Sequence, residues 1–311
     1  MKPIRPWISI MRPFNCALIT LCAIVGIMVD NGVETFFIDT GTEILHHWPS
    51  LLMIFIGGWA LSAAAMVLND YFDIEIDKIN EPDRPIPSGK IKPKQALRFG
   101  IILIVIGVLM SIGIDTYEWL VFGRQFGVSV VTAVICAVMV STYTNYMKKY
   151  SILGNLAVSV GVWMGFLYGD LVFNFDIELL PQAMGCGAFM LNFGREVAKG
   201  IIDVEGDREN NVTTVATALG GRWTSVIASG FWIIAIAAAL SPIFFAGASI
   251  AYTVSITVCV SLAAAAIVWI QIDYSIPAIK KIKRMVLWTM FFCLIAFTLE
   301  GFLGPGLPPI M

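Results

Sequence analysis

Three aspartates and one asparagine in the first third of the chain are spaced in a way that could hold a divalent cation. Asn69, Asp73 and Asp77 recur every four residues, and Asp70 lies three residues before Asp73. In a helix, residues four apart share one face, so this spacing would group their oxygen atoms. Carboxylate and carboxamide oxygens suit hard divalent ions such as Mg²⁺. The alternative is a solvated acidic loop at the end of a helix.

A second charged cluster, residues 195–208, has a similar pattern. Asp203 and Asp207 are four residues apart and share a face if the helix persists, although Gly206 between them could break it. Two facing carboxylate motifs can hold a pair of divalent ions, and such a pair can bind a diphosphate and neutralise a leaving group. Basic side chains near the motifs would add direct phosphate contacts; the candidates are Arg12, Arg84, Lys148, Arg195 and Lys199.

The composition is that of a membrane protein, and the elements that carry these residues are predicted to be membrane helices. Of the 311 residues, 58% are hydrophobic and 14% are charged, whereas a soluble domain averages about 25% charged residues. Apolar runs of about 20 residues recur along the whole chain. They predict an all-α, polytopic bundle that forms one domain over residues 1–311. Nine spans are expected, at about 14–29, 50–72, 96–114, 126–146, 152–172, 180–199, 223–240, 246–270 and 285–303.

The basic residues predict how these spans are oriented. With the N-terminus in the cytoplasm, all but Arg124 of the 20 lysines and arginines fall in cytoplasmic segments, as the positive-inside rule requires. Both acidic motifs are then cytoplasmic and the C-terminus is outside. The same rule is the competing explanation for each basic residue near the motifs, and for the run Lys280–Arg284 we prefer it.

The two motifs together resemble those of the UbiA superfamily of intramembrane prenyltransferases. The first motif continues into Arg-Pro-x-Pro-Ser-Gly at residues 84–89, and the second, Asp203 to Asp207, lies four spans later, as in an internal pseudo-repeat with segments 69–89 and 195–208. The resemblance implies a nine-helix bundle with a central cavity, a lateral opening, and two Mg²⁺ ions that bind the diphosphate of a prenyl donor. It implies metal ligation by Asn69, Asp73, Asp77, Asp203 and Asp207, with Asp70 as a further catalytic residue.

Within that superfamily, residues 195–207 are similar to the archaeal digeranylgeranylglyceryl phosphate synthases. That similarity implies transfer of a geranylgeranyl group from geranylgeranyl diphosphate to geranylgeranylglyceryl phosphate, which forms the second ether bond of archaeal membrane lipid. Membrane lipid would surround the protein, and no nucleic-acid partner is expected. The substrate-binding residues that the similarity and the basic pattern imply are Arg12, Asn15, Arg84, Tyr143, Lys148, Arg195 and Lys199.

Two other functions remain open from the sequence. Transferases with aromatic acceptors, which act in quinone, chlorophyll or haem O synthesis, share much of the first motif. A divalent-cation transporter could also place carboxylates in a membrane. However, the acids here lie at one membrane face, and no pair of Gly/Pro-broken spans indicates discontinuous helices.

Overall fold

The chain folds into a helical bundle in a computed structural model, which describes residues 4–33, 43–145, 151–174 and 177–303. All regular elements in these ranges are helices, which confirms the predicted all-α fold. In chain order they are α1 (Arg5–Met11), α2 (Pro13–Val33), α3 (Glu43–Phe72), α4 (Ile74–Asn80), α5 (Pro93–Phe122), α6 (Val128–Asn145), α7 (Ser151–Asn174), α8 (Leu179–Glu209), α9 (Val215–Phe245), α10 (Ile250–Ile272) and α11 (Ile276–Leu303).

The long helices correspond to the predicted apolar segments. Within the described ranges each of the nine segments falls on one helix of 18 residues or more. Six of these helices are long and apolar enough to cross a membrane, and α1 with α2, bent by 44°, would make a seventh. The protein is therefore a multi-pass membrane protein, while the count of nine crossings stays a prediction. Helix α8 does not qualify because its second half carries the charged motif.

The helices form a closed ring in chain order. Each of the nine long helices packs against the next one along the chain, and α11 returns to α2. Further contacts join helices that are not neighbours in this ring, among them α2 with α7 and α8 with α11. Since sequential helices joined by short loops are neighbours in space, this arrangement follows from the connectivity.

Glycines allow α2 and α7 to approach closely. A methyl group added at Gly169 would lie 2.6 Å from the backbone oxygen of Ala23, and one added at Gly26 would lie 2.8 Å from that of Phe166. Small residues at a helix crossing are the usual device for close packing in membranes. This contact positions α2, whose N-terminal end carries Arg12.

Three helix boundaries differ from the sequence prediction. Helix α8 continues through Gly206 to Glu209, beyond the predicted span, so the second motif is helical and Gly206 does not break it. Helix α11 begins at Ile276, so the run Lys280–Arg284 lies on this helix and not in a loop between two spans. The first motif is divided between α3 and α4, with Asp73 at the junction.

Candidate active site

Asp70, in the last turn of α3, is held by two arginines. It is buried and accepts a hydrogen bond from Arg12, which lies in the turn between α1 and α2. Arg84, in the loop after α4, lies 3.4 Å from the same carboxylate oxygen. The contact between Arg12 and Asp70 therefore ties the start of α2 to the end of α3.

The Nη1 atom of Arg84 also donates to both carboxylate oxygens of Asp77, at 2.7 and 2.6 Å. Burial raises the pKa of the Asp77 carboxyl above its usual range, and Arg84 opposes that rise. Burial would lower the pKa of Arg84, but Asp70 and Asp77 outweigh it and raise that pKa. A desolvated carboxylate of this kind needs a cation beside it.

The junction at Asp73 turns α4 towards α8 without breaking the chain of backbone hydrogen bonds. The N–H of Asp73 donates to the carbonyl of Asn69 at 2.9 Å, and the N–H of Asp77 donates to the carbonyl of Asp73 at 2.7 Å. The spacing of four residues that the sequence suggested therefore persists. The change of direction brings Asp73 and Asp77 to the second motif.

Asn80, the last residue of α4, connects the two motifs. Its Nδ2 donates to the backbone carbonyl of Asp203 at 3.3 Å, and its Oδ1 accepts from the backbone N–H of Gly206 at 3.2 Å. A methyl group on Gly206 would lie 2.6 Å from the Asn80 amide nitrogen. Glycine is therefore required here for the close approach of α4 and not to end the helix.

The second motif forms its own ion pairs along α8. Lys199 lies 3.3 Å from the Asp203 carboxylate and 3.9 Å from that of Glu196. Arg195 donates to Glu196, which precedes Lys199 by one turn. The positive charges of this segment thus lie against its own carboxylates.

The two motifs line one polar cavity of about 700 Å³ that is partly open to solvent. Four aspartates, two from each motif, contribute to its wall, together with the two basic residues that pair with them. The charged and amide side chains of its wall are those of Asp73, Asp77, Asn80, Arg84, Asn155, Glu196, Lys199, Asp203 and Asp207.

This set of donors fits a hard divalent ion in its chemistry. The cavity offers carboxylate and carboxamide oxygens from three helices, and the burial of Asp77 calls for a cation. Across the described ranges, however, no three His, Cys, Asp or Glu side chains surround a single point. Arg84 and Lys199 lie against the carboxylates instead. A bound ion would have to displace these two side chains.

A second, apolar cavity of about 620 Å³ lies within the bundle. Its wall is formed by α2, α7, α8, α9, α10 and α11, and includes Leu18 of α2, Leu191 of α8 and Met290 of α11. Its apolar lining suits a flexible hydrocarbon chain.

The structure brings six of the thirteen predicted site residues to the polar cavity. Asp73, Asp77, Asp203, Asp207, Arg84 and Lys199 line it, whereas Asn69, Asp70, Arg12, Asn15 and Arg195 are not part of its wall. Lys148 and the side chain of Tyr143 lie outside the described residues. The sequence alone indicated no role for Asn80 or Lys283, because their positions depend on packing between distant helices.

The chain matches the UbiA prenyltransferase family over residues 40–304. It belongs to this family. It is 28% identical over 300 residues to the digeranylgeranylglyceryl phosphate synthase of Methanosarcina barkeri, an alignment that covers 94% of this chain and 97% of the relative. The match confirms the resemblance that the motifs indicated and makes the chain an intramembrane prenyltransferase. It also argues against the transporter alternative.

Solved structures of the family have the same fold. A structure of digeranylgeranylglyceryl phosphate synthase is 26% identical, with a TM-score of 0.67 over 97% of this chain and 99% of that one. A UbiA homologue from Archaeoglobus fulgidus bound to GPP and Mg²⁺ is 12% identical, with a TM-score of 0.59 over 94% of this chain and 99% of that one. The second likeness shows the fold only.

Proposed function

We propose that this protein is a Mg²⁺-dependent digeranylgeranylglyceryl phosphate synthase. It would transfer the geranylgeranyl group of geranylgeranyl diphosphate to geranylgeranylglyceryl phosphate. The observation that carries the proposal is the convergence of four aspartates and two bases, from two motifs about 130 residues apart, on the single polar cavity. The likeness to relatives of that name supports the choice of acceptor.

We place two Mg²⁺ ions in the polar cavity, with Asn69, Asp73, Asp77, Asp203 and Asp207 as ligands, directly or through water. When bound, they neutralise the charge that develops on the departing diphosphate. Asn69 does not line the cavity, so it would act through a water or after a shift of its side chain. The Mg²⁺ and GPP held by the Archaeoglobus fulgidus homologue support the choice of Mg²⁺ as the ion.

Arg84 and Lys199 would change partners when the donor binds. Each pairs with a carboxylate of the cavity wall, and each can turn to the diphosphate once that carboxylate has another cation. Charge-assisted hydrogen bonds from both would hold the diphosphate in place while the allylic C–O bond breaks. Tyr143 and Lys148 complete the proposed set of substrate contacts.

Asp70 would orient the arginines rather than accept a proton. It is buried, with Arg12 and Arg84 on its carboxylate, so an acceptor hydroxyl has no approach to it. The new ether C–O bond forms as the hydroxyl oxygen attacks the allylic carbon, and the hydroxyl proton leaves to an oxygen of the released diphosphate. Through its contacts with Arg12 and Arg84, Asp70 would hold two positive charges near the diphosphate.

The proposed orientation follows from the charge distribution. The N-terminus and both motif segments would face the cytoplasm, and the C-terminus would lie outside, because the basic residues cluster at the motif end. Residues 304–311 lie outside the described residues. We treat residues 1–311 as a single domain, which the closed ring of helices supports.

Purified protein with Mg²⁺ and labelled geranylgeranyl diphosphate tests the proposal when two acceptors are offered separately. Product from geranylgeranylglyceryl phosphate, and none from 4-hydroxybenzoate, is the expected result. Product from the aromatic acid alone would overturn the acceptor and leave the donor site in place. Donor binding that depends on Mg²⁺ without transfer to either acceptor would also overturn it.

A further inference from the structure

Two basic side chains near both cavities have hydrogen-bonding capacity that the described residues do not use. Lys283, on α11, is half-buried and makes no hydrogen bond or ion pair with any residue in the described part of the chain. The Nε atom of Arg195, on α8, is buried and likewise has no hydrogen-bond partner there. A buried donor without a partner is unfavourable, so the Nε of Arg195 calls for an acceptor. Lys283 offers an unpaired ammonium group close to it.

Helical periodicity places both residues at the cytoplasmic mouth of the apolar cavity. Leu191 lines that cavity, and Arg195 follows it by one turn on the same face of α8. Met290 lines it from α11, and Lys283 precedes it by two turns on the same face. The basic groups therefore lie above the apolar lining, on the side of the second motif.

The charges at this mouth do not balance. Three cations, Arg195, Lys199 and Lys283, act on one another and on two carboxylates, Glu196 and Asp203. Glu196 pairs with Arg195, and Asp203 pairs with Lys199. The positive charge of Lys283 is left over, close to two other cations, and a bound anion would relieve that repulsion.

We propose that Lys283 and the Nε of Arg195 bind the phosphate monoester of the isoprenoid acceptor, with its hydrocarbon chain in the apolar cavity. This inference rests on the proposed function. Neither residue lines the polar cavity, so the phosphate site is separate from that of the donor diphosphate. An amphiphile with one anionic head and one apolar chain matches the two basic side chains and the adjoining apolar cavity. Its hydroxyl would lie towards the polar cavity.

Steady-state kinetics of Lys283→Gln test the assignment, with Lys280→Gln as the matched control. Lys280 lies one turn earlier on α11 and is exposed. One charge-assisted contact with phosphate corresponds to a rise of about 10- to 100-fold in the acceptor KM. We expect that rise for Lys283→Gln, with an unchanged KM for geranylgeranyl diphosphate, and no change for Lys280→Gln. Lys283→Arg should recover most of the affinity.

A neutral acceptor and a binding measurement separate this site from a general structural role. With geranylgeranylglycerol, which lacks the phosphate, wild type and Lys283→Gln should react at the same reduced rate. Thermal stabilisation by geranylgeranylglyceryl phosphate, without donor or Mg²⁺, should be present in wild type and lost in Lys283→Gln.

Two results would overturn the inference while the proposed function stands. One is an unchanged acceptor KM in Lys283→Gln; the other is an equal loss of rate with the phosphorylated and the neutral acceptor. If wild type does not use geranylgeranylglyceryl phosphate at all, the proposed function itself fails.

Discussion

The side-chain oxygen of Asn80 accepts a hydrogen bond from the backbone N–H of Gly206 at 3.2 Å. This contact joins α4 to α8, and its partner bond to the carbonyl of Asp203 lies one turn away. These two hydrogen bonds hold the C-terminal end of α4, and with it the first motif, against α8, which carries the second motif. Asn80 therefore sets the distance between the two sets of aspartates.

Asn80→Ala should lower the rate of prenyl transfer by about tenfold or more, since loss of the amide removes the two hydrogen bonds that join α4 to α8, each contributing about 0.5–1.5 kcal/mol. The Mg²⁺ concentration that gives half the maximal rate should rise, because the two motifs separate. Lys78→Ala is the control: Lys78 lies on the same helix but is exposed and pairs only with Glu75. Equal activity of the two variants would show that Asn80 does not position the motifs.

Asp73→Ala and Asp203→Ala should each reduce transfer by at least about 100-fold, the usual cost of removing one group that stabilises developing charge. Both residues line the polar cavity, one from each motif, so neither loss should unfold the bundle. Transfer of labelled prenyl groups and thermal unfolding in detergent give the two measurements. Asp83→Ala, an exposed acid in the loop after α4, should retain activity. Full activity in both cavity variants would contradict the metal assignment.

Arg84→Met should destabilise the protein by about 3 kcal/mol, because it leaves the buried Asp77 carboxylate without its paired cation. Millimolar Mg²⁺ should recover part of that loss and should raise the Tm of the variant more than that of wild type. Lys78→Met serves as the surface control, since an exposed ion pair contributes at most about 1 kcal/mol. The same Mg²⁺-induced rise in Tm for wild type and Arg84→Met would mean that Arg84 does not occupy the place of an ion.

Gly169→Ala should destabilise the contact between α2 and α7 by about 1–3 kcal/mol, the usual range for overpacking. Its added methyl would meet backbone atoms of α2 at 2.6 and 2.7 Å, and backbone cannot give way cheaply. Gly161→Ala, on the same helix, would meet nothing within 4 Å and should be neutral or stabilising by up to about 1 kcal/mol. Unfolding in SDS–detergent mixtures compares them. A Gly161 variant as unstable as the Gly169 variant would show that the close crossing of α2 and α7 is not the cause of the loss.

The sequence by itself determined the helices and the chemistry of the metal motifs. Apolar runs of fixed length specify helices through local backbone hydrogen bonding and the need to avoid water, so the position of each helix could be predicted, although several helices extend well beyond their apolar run. The spacing of four residues between Asp73 and Asp77, and between Asp203 and Asp207, is a local property of a helix. The resemblance of these motifs to a known family added the reaction.

Only the tertiary structure decided which residues from different helices meet. The turn at Asp73 directs α4 to α8, and the missing side chain of Gly206 lets Asn80 approach; neither is visible in the spacing of the motifs. The same is true of Lys283, which looked like one member of a basic run until α11 was seen to begin at Ile276 and bring it beside Arg195. Such meetings depend on packing between segments far apart in the chain, which the helical period within one segment does not specify.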